Sequence, residues 1–530
     1  MNCARLPCDE AVILAAPPAV AVPPPVATRP AAAVAVQTGV WVLVATVLGT
    51  SMEFIDGTVV NVALPAMQMG LGASGSQVQW VVEAYALFLS ALLLVGGSMG
   101  DIFGRRRIFV IGVTLFASAS IWCGVAPTIQ QLIAARCLQG VGGAMLVPSS
   151  LALISSCFPP ETRGKAIGTW SGFSSMMTAM GPVVGGWLVQ HGSWRWVFFL
   201  NVPLAVVTVT IALRKLPESH SGAAAHTLDW RGAVLATAGL SGVTFALIEW
   251  TQGGAITRVA GVAGVALLAA FVWVEQHCEA PMMPLSLFES RNFVGANVLT
   301  FFLYAAFGGA LFYLPLNLIQ VQGYSPTAAG AALLPMVLLL FALSRWSGGL
   351  VARYGARLPL IAGPLIVALG YAMMTRPGIG GSYWTTYFPA IVVLGLGMAV
   401  SVAPLTTVVL NSVDESRTGS ASGVNNAASQ VAGLLALAVF GLIFFRVFSP
   451  SLDRGLKRAE VSVEVAQEIG AQRVKLAAIQ TTDGQGRAAV NEAFVASFRV
   501  VFWLAAGLAG AASLSAATIL RRGNDATTRV

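Results

Sequence analysis

The chain has 530 residues, of which 56% are hydrophobic and only 10% are Asp, Glu, Lys or Arg. Together with a mean hydropathy of +0.77, this composition excludes an ordinary soluble globular protein and indicates an integral membrane protein. The formal net charge of +8 reflects the loop arginines and lysines described below, so a nucleic-acid partner is not needed to explain it.

Fourteen apolar runs approach the roughly 20 residues that cross a hydrocarbon core. We number them spans one to fourteen. Their approximate limits are residues 40–62, 78–99, 108–126, 131–155, 166–189, 196–213, 231–249, 259–275, 293–319, 327–350, 358–375, 385–409, 419–446 and 498–519.

Loop charges predict the orientation of these spans. Short loops on the side of the N-terminus hold most of the basic residues, among them Arg105 to Arg107, whereas short loops on the other side hold only Arg195, Arg258 and Arg376. Basic residues favour the cytoplasmic side. We therefore expect a multi-pass protein of the cell's inner (plasma) membrane with both termini in the cytoplasm.

Three segments are expected to lie outside the bilayer. Residues 1–36 are rich in Ala, Pro and Val and are predicted to form a disordered cytoplasmic tail, and residues 521–530 form a second tail. The long outer loop 447–497 places Leu452, Leu456 and Ile469 at near-helical spacing, which predicts an amphipathic helix or hairpin.

An internal repeat indicates how the spans are grouped. Gly97-Ser-Met-Gly-Asp101-Ile-Phe-Gly104-Arg105-Arg106 follows span two, and a related segment from Gly348 to Arg357 follows span ten. A plain duplication of six spans would place the copy after span eight. The offset therefore predicts two six-helix bundles, residues 37–215 and 292–520, with two inserted central helices within 216–291.

Ionisable side chains inside a bilayer are costly and are candidates for function. The spans contain Glu53 and Asp56 in span one, Glu83 in span two and Arg136 in span four. Glu53 and Asp56 share a helix face, so they should repel each other and favour the protonated form of at least one. This would suit a proton carrier, and we expect Asp56 to hold the coupling proton, with Glu53 or Glu83 as alternatives. Neutralisation of the pair by Arg136, or a wet vestibule beside it, is the other interpretation.

A glycine-rich segment in span five runs Gly172-Phe-Ser-Ser-Met-Met-Thr-Ala-Met-Gly181-Pro182-Val-Val-Gly185-Gly186. Gly181 and Gly185 lie four residues apart, so they share a face that lets another helix approach closely. The glycine spacing by itself is equally consistent with a tight helix contact that does not move. The pattern, however, is similar to the antiporter signature in the fifth helix of major facilitator superfamily transporters. Exporters carry this signature, and importers generally do not.

Further motifs extend this resemblance. Asp56-Gly-Thr-Val-Val-Asn61-Val-Ala-Leu-Pro65 resembles the first-helix signature of the fourteen-helix drug/proton antiporters, and Arg136-Cys-Leu-Gln139-Gly140-Val-Gly142 resembles their fourth-helix motif. The resemblance implies an all-α polytopic membrane protein with the major facilitator fold, and a proton-coupled exporter of multiple drugs or antibiotics. It also implies proton coupling through Arg136, whereas Glu53 rests on burial and spacing alone.

The loop after span two is similar to the superfamily's conserved loop between helices two and three. By that resemblance Gly97 and Gly104 allow close approach and a tight turn, and Asp101 pairs with groups of the other half in one conformation only. Arg105 and Arg106 belong to the same switch, or are topology anchors. The second copy has Ala352 in place of Asp101.

The second half offers aromatic and amide side chains in place of charges. We select Tyr304, Phe307, Tyr313, Asn317 and Gln430 as candidate substrate-binding residues, with ordinary packing as the alternative for each. A broad apolar pocket favours lipophilic cargo, and carboxylates opposite it favour cationic lipophiles.

No other chemistry is indicated. The histidines lack metal-ligand spacing and no phosphate-binding Gly-Lys-Ser/Thr sequence occurs, so we expect no enzyme, no metal, no cofactor and no nucleic-acid partner. The expected partners are a small-molecule substrate, protons and the lipid bilayer, with the protein a monomer. Two alternatives stay open: a transporter of one specific metabolite or self-made product, and a non-transporting membrane receptor or assembly factor.

Overall fold

The computed structural model describes residues 29–218, 229–250, 253–278, 281–413 and 418–520, and almost all of them are helical. The helices of the N-terminal half are α1 (Arg29–Leu71), α2 (Gly75–Phe103), α3 (Arg105–Val125), α4 (Ile129–Cys157), α5 (Pro160–His191), α6 (Trp196–Phe199) and α7 (Asn201–Lys215).

The inserted pair is α8 (Trp230–Ile248) and α9 (Ala255–His277). A 3₁₀ turn at Leu285–Glu289 leads into the C-terminal half. Its helices are α10 (Arg291–Leu316, continued by a π turn at Asn317–Val321), α11 (Pro326–Ala331), α12 (Leu334–Gly348), α13 (Leu350–Tyr354), α14 (Arg357–Met373), α15 (Tyr383–Thr386), α16 (Phe388–Asn411), α17 (Thr418–Arg458), α18 (Val463–Ala471) and α19 (Gly484–Ile519), with a 3₁₀ turn at Arg473–Ala478 before α19.

Each of the fourteen predicted runs overlaps one of these helices or a consecutive set of them. Counted over the described residues, twelve helices are long and apolar enough to cross a membrane. The other two runs correspond to α5, which is rich in Gly, Ser and Met, and to α14, which is apolar but has 17 residues. The all-helical polytopic architecture is confirmed, and the count of fourteen spans stays a prediction.

The helices extend beyond several predicted limits. Where the described residues begin, at Arg29, the chain is already helical, within the predicted tail 1–36. Residues 1–28 and 521–530 lie outside the described part of the chain.

Two long helices continue into the predicted outer loop 447–497. α17 continues to Arg458 and α19 begins at Gly484. Asp483 accepts a hydrogen bond from the Gly486 amide, which caps the start of α19. The amphipathic helix expected in this segment is α18, which buries Ile469.

Helix packing defines two halves and one contact zone. In the N-terminal half α4 packs against α2 and α3, and α1 packs against α5; in the C-terminal half α10 packs against α17 and α19, and α14 against α16. The halves meet through α2 with α17 and through α5 with α11 and α12. The pair α8–α9 packs beside this zone through contacts of α8 with α2 and α17.

Candidate functional site

The core of the N-terminal half contains a buried ion pair. Arg136 on α4 is 1% exposed and its Nη1 donates to Asp56 Oδ2 of α1 at 2.5 Å. Nη1 also donates to Gln139 Oε1 at 2.7 Å, and Nε donates to the Val81 carbonyl of α2 at 3.0 Å. The guanidinium thus joins three helices at one point.

Asp56 is surrounded by donors. Its second oxygen accepts from Gln139 Nε2 at 2.9 Å and from Asn201 Nδ2 at 3.3 Å. Asn201 also donates to Ser120 Oγ, which donates to the Phe198 carbonyl, both at about 3.0 Å. A carboxylate with an arginine and two amide donors is well compensated in a buried site.

Sequence reasoning missed Asn201 and Ser120. Their signal was available in principle, since each is a polar residue on a mostly apolar span, but serine and asparagine occur at many such positions. Asn201 and Ser120 come close to Asp56 because α7 packs against both α1 and α3.

Tyr85 connects Arg136 to the second acid of α1. The Arg136 Cζ atom lies 4.2 Å from the centre of the Tyr85 ring, a cation–π contact. The Tyr85 hydroxyl donates to Glu53 Oε1 at 3.5 Å. The other oxygen, Glu53 Oε2, is buried, and no residue in the described part of the chain forms a hydrogen bond with it.

Glu83 occupies a different place, at the contact between the halves. Its Oε1 accepts from Gln79 Nε2 at 3.5 Å, and the same amide donates to the Leu437 carbonyl of α17 at 2.9 Å. Glu83 is fully buried, and its Oε2 has no hydrogen-bond partner within the ranges that the structure describes. Among the described residues, no arginine or lysine forms an ion pair with Glu53 or Glu83.

The loop after α2 forms a tight turn. Gly104 has φ +102°, a conformation that favours glycine. Asp101, whose side chain is half exposed, pairs with Arg105 of the following turn at 2.8 Å. Arg106 donates to the Leu216 carbonyl and pairs with Glu218, after α7. In this conformation the charges therefore bind within the N-terminal half, and Gly97 lies against Pro148 of α4.

The glycines of α5 contact both halves. A Cβ at Gly181 would overlap Thr58 Oγ1, and one at Gly185 would overlap Val59 Cγ2, both on α1 beside Asp56. A Cβ at Gly186 would overlap the Pro326 carbonyl of α11.

Pro182 of the motif is also in close contact with α11, whereas Gly172 is not closely packed. Gly330 of α11 likewise meets the carbonyl of Pro182. Gly172 has open space where its Cβ would be.

The five candidate cargo residues fall into two groups. Tyr313 stacks on Phe444 with ring centres 4.6 Å apart, and Asn317 accepts from the Tyr387 hydroxyl, so both are used inside the C-terminal half. The half-buried residues are Tyr304, Phe307 and Gln430. Phe307 borders a small apolar cavity next to Tyr371 and Phe502.

The described residues contain no group of three or more His, Cys, Asp or Glu side chains that could hold a metal ion. Glu53, Asp56 and Glu83 instead contact amides, a tyrosine and an arginine.

Comparison with known proteins identifies the family. The sequence profile of the Major Facilitator Superfamily matches residues 46–437. The chain is 34% identical over 494 residues to the tetracenomycin C resistance and export protein of Streptomyces glaucescens, with 90% of each chain covered. It is 34% identical to the multidrug resistance protein Stp of Mycobacterium tuberculosis, covering 80% of this chain and 79% of that protein.

The fold also matches a solved structure, a bacterial homologue of the human lysosomal transporter Spinster in an inward-facing, unoccupied conformation. The TM-score is 0.63 at 18% identity, with 92% of this chain and 99% of that chain covered.

Proposed function

This chain belongs to the major facilitator superfamily, and we propose that it is a proton-coupled antiporter that exports lipophilic drugs or antibiotics, including cationic ones, by alternating access. It is a multi-pass membrane transporter and not an enzyme. The observation that carries the proposal is the buried cluster of Glu53, Asp56 and Arg136, which contains two acids and one base.

Charge balance supports one proton in this cluster. With a single buried cation, Glu53 and Asp56 together are neutralised only if one of them is protonated, and an unpaired charge in a low-dielectric interior costs several kcal/mol, as an order of magnitude. Asp56 accepts from Arg136 and two amides, whereas Glu53 Oε2 has no donor. We therefore place the coupling proton on Glu53, with the Asp56–Arg136 pair as its fixed counterpart.

The glycines of α5 provide a route from this proton to the movement of the halves. Gly181 and Gly185 pack against Thr58 and Val59 of α1, in the turn that contains Asp56, and Gly186 contacts α11 in the other half. A change of charge on α1 alters its packing against α5, and backbone contacts leave α5 little freedom to move without α11. In this proposal proton loss from Glu53 and separation of α5 from α11 are parts of one transition.

Glu83 is proposed to bind the charge of a cationic cargo. It lies where α2 meets α17, and its free oxygen becomes accessible when the halves separate there. Tyr304, Phe307 and Gln430 on the opposite half are the proposed apolar and amide contacts. Such a site orders a lipophilic cation through few directional bonds, which suits a broad range of cargo.

A narrow cargo range is the second candidate. The relative from Streptomyces glaucescens is named for one antibiotic, whereas Stp is named for multidrug resistance. A susceptibility panel in an efflux-deficient bacterial host distinguishes them: protection against several unrelated lipophilic drugs supports the broad exporter, and protection against one compound supports a dedicated exporter.

Proton coupling is tested in proteoliposomes with a cargo from that panel. We expect a pH gradient to drive uphill uptake by the unaltered protein and not by Glu53→Gln, while downhill exchange by that variant persists. Glu83→Gln should lose cationic cargo and keep neutral lipophiles. The matched control is Glu464→Gln on exposed α18, which should transport normally. Full pH-driven uptake by Glu53→Gln would refute the assignment.

We further propose that the protein is a monomer in the plasma membrane and that both of its termini lie in the cytoplasm. Reporter fusions test this orientation. Reporter fusions after Arg107 and after Lys215 should report the cytoplasm, and one near Gly484 the outside. A cytoplasmic report near Gly484 would overturn the arrangement of spans.

A further inference from the structure

Two buried acids outside the proposed coupling cluster face each other in the inserted helix pair. Asp229 precedes α8 and is 8% exposed, and Glu275 lies in the last turn of α9 and is 2% exposed. Asp229 Oδ1 accepts from the Gly232 amide at 2.8 Å, and Glu275 Oε2 accepts from the Met283 amide at 2.9 Å. One oxygen of each carboxyl is thus fixed by backbone.

The other two oxygens, Asp229 Oδ2 and Glu275 Oε1, are buried, and no described residue donates a hydrogen bond to either. They converge on the same space, because a Cβ on Gly232 would overlap Asp229 Oδ2 and lie 2.9 Å from Glu275 Oε1. The two carboxyl groups therefore face each other across the space beside Gly232. Two ionised carboxylates are acceptors only, so this contact is repulsive unless a ligand supplies the missing donor.

We propose that Asp229 and Glu275 bind one proton between them, forming a second proton site that is separate from the Glu53 cluster. The chemistry favours a proton over a metal ion, since a metal needs more ligands than these two oxygens and the described residues contain no third His, Cys, Asp or Glu at this place. A proton needs only one hydrogen bond between two oxygens, and the free oxygens of the two carboxyl groups face the same space.

The charged groups on the neighbouring described segments do not neutralise Asp229 and Glu275. Arg231 lies over the Trp230 ring at 5.7 Å, and His277 bonds to the Trp273 carbonyl. Glu289 and Arg291 follow in the segment that leads to α10. In the part of the chain that is described, none of these groups forms an ion pair with either acid; Glu279 lies outside that part.

The proton site joins three segments. Asp229 caps α8, Glu275 ends α9, and the Met283 amide belongs to the connection that enters the C-terminal half. Loss of the shared proton places two like charges in contact and favours their separation, which would loosen this connection. By the predicted orientation the pair lies on the cytoplasmic side, so it would respond to cytoplasmic pH.

Infrared spectroscopy of the full-length protein in lipid nanodiscs tests the proposal without transport. Carboxylic acids and carboxylates absorb differently, so a pH titration counts the protonated acids. We expect Asp229→Asn and Glu275→Gln each to lose the same single titrating carboxylic acid band relative to the unaltered protein. Both substitutions preserve the fixed backbone bonds, since asparagine also caps helices and glutamine keeps an acceptor oxygen.

The control variant Glu464→Gln should keep the band. Loss of a band in neither variant would show that both acids are ionised and would overturn the proposal. Loss of the carboxylic acid band on addition of Na⁺ or K⁺ at constant pH would also overturn the proposal, because it would show that the two acids bind a metal cation instead of a proton. If one variant fails to fold, the other gives the same readout. Glu53→Gln should leave this band in place, so failure of the coupling proposal and failure of this one are distinguishable.

Discussion

The two halves of this transporter share a fold and differ in what fills them. The N-terminal half encloses Arg136, Asp56 and an amide network at full burial. The corresponding interior of the C-terminal half holds stacked rings, with Tyr313 on Phe444 and Phe498 on Phe502 at 4.2 Å. A duplicated helical frame therefore allows one copy to hold charge and the other to hold apolar surface.

The two copies of the repeated loop also share their backbone geometry and differ in their charges. Both use a glycine with positive φ to turn between helices, Gly104 at +102° and Gly355 at +73°. The charges differ: Asp101 pairs with Arg105, whereas the second loop has Ala352, and Arg357 donates to the Ala517 carbonyl of α19. Backbone geometry is shared by the copies, and among the described residues the pair of an acid with an arginine occurs in the first copy only.

The largest effect is expected from breaking the charged interior. Arg136→Gln leaves Asp56 buried without a cation, which typically costs about 3 to 5 kcal/mol. We expect a large fall in the melting temperature of the purified protein and loss of transport. The double variant Asp56→Asn with Arg136→Gln should recover much of the stability and none of the coupling. Equal melting of the single and double variants would contradict a tight pair.

A smaller effect is expected at the contact between the halves. Gly186→Ala places a methyl group on the Pro326 carbonyl, and overpacking of this kind costs about 1 to 3 kcal/mol. Transport should fall about tenfold, since 1.4 kcal/mol shifts an equilibrium by that factor. The control is Gly172→Ala in the same motif, where the added methyl meets open space. Equal losses in both would show that the motif acts through helix flexibility.

Asp101→Asn should separate switching from stability. The exposed pair with Arg105 contributes about 0 to 1 kcal/mol, so the melting temperature should change little. Transport should nevertheless fall strongly if Asp101 stabilises one conformation, with cargo binding retained. Turnover near that of the unaltered protein, at equal expression, would reduce Asp101 to a loop acid.

The smallest effect is expected at Tyr85→Phe. The ring beneath Arg136 remains, and only the weak 3.5 Å bond to Glu53 is lost. We expect normal folding and a two- to threefold change in pH-driven transport, corresponding to about 0.5 kcal/mol. The pH dependence of transport is the measurement, and a loss as large as that of Arg136→Gln would mean that the hydroxyl is essential.

The sequence was sufficient for the fold, because apolar runs and a repeated loop are dictated by the bilayer and by the backbone. It also identified Glu53, Asp56, Glu83 and Arg136, because charge is rare in spans. It did not reveal that Asp56 is the compensated acid and Glu53 the uncompensated one. That difference depends on the donors Gln139 and Asn201, which tertiary packing brings together from different helices.

Helix ends were less predictable. α17 continues beyond the apolar run to Arg458, because polar residues outside the bilayer can continue a helix. The acid pair of Asp229 and Glu275 was not recognised, since each lies at a helix end, where an acid is ordinary in sequence.

The most direct test of the central claim compares Glu53→Gln with Glu83→Gln in proton release from the purified protein on addition of a neutral lipophilic cargo. We predict that the unaltered protein and Glu83→Gln release protons and that Glu53→Gln does not. The reason is that the proton exchanged for cargo is held by the cluster of Glu53, Asp56 and Arg136. Undiminished release by Glu53→Gln, together with its loss in Glu83→Gln, would place the coupling proton at the contact between the halves and contradict the account.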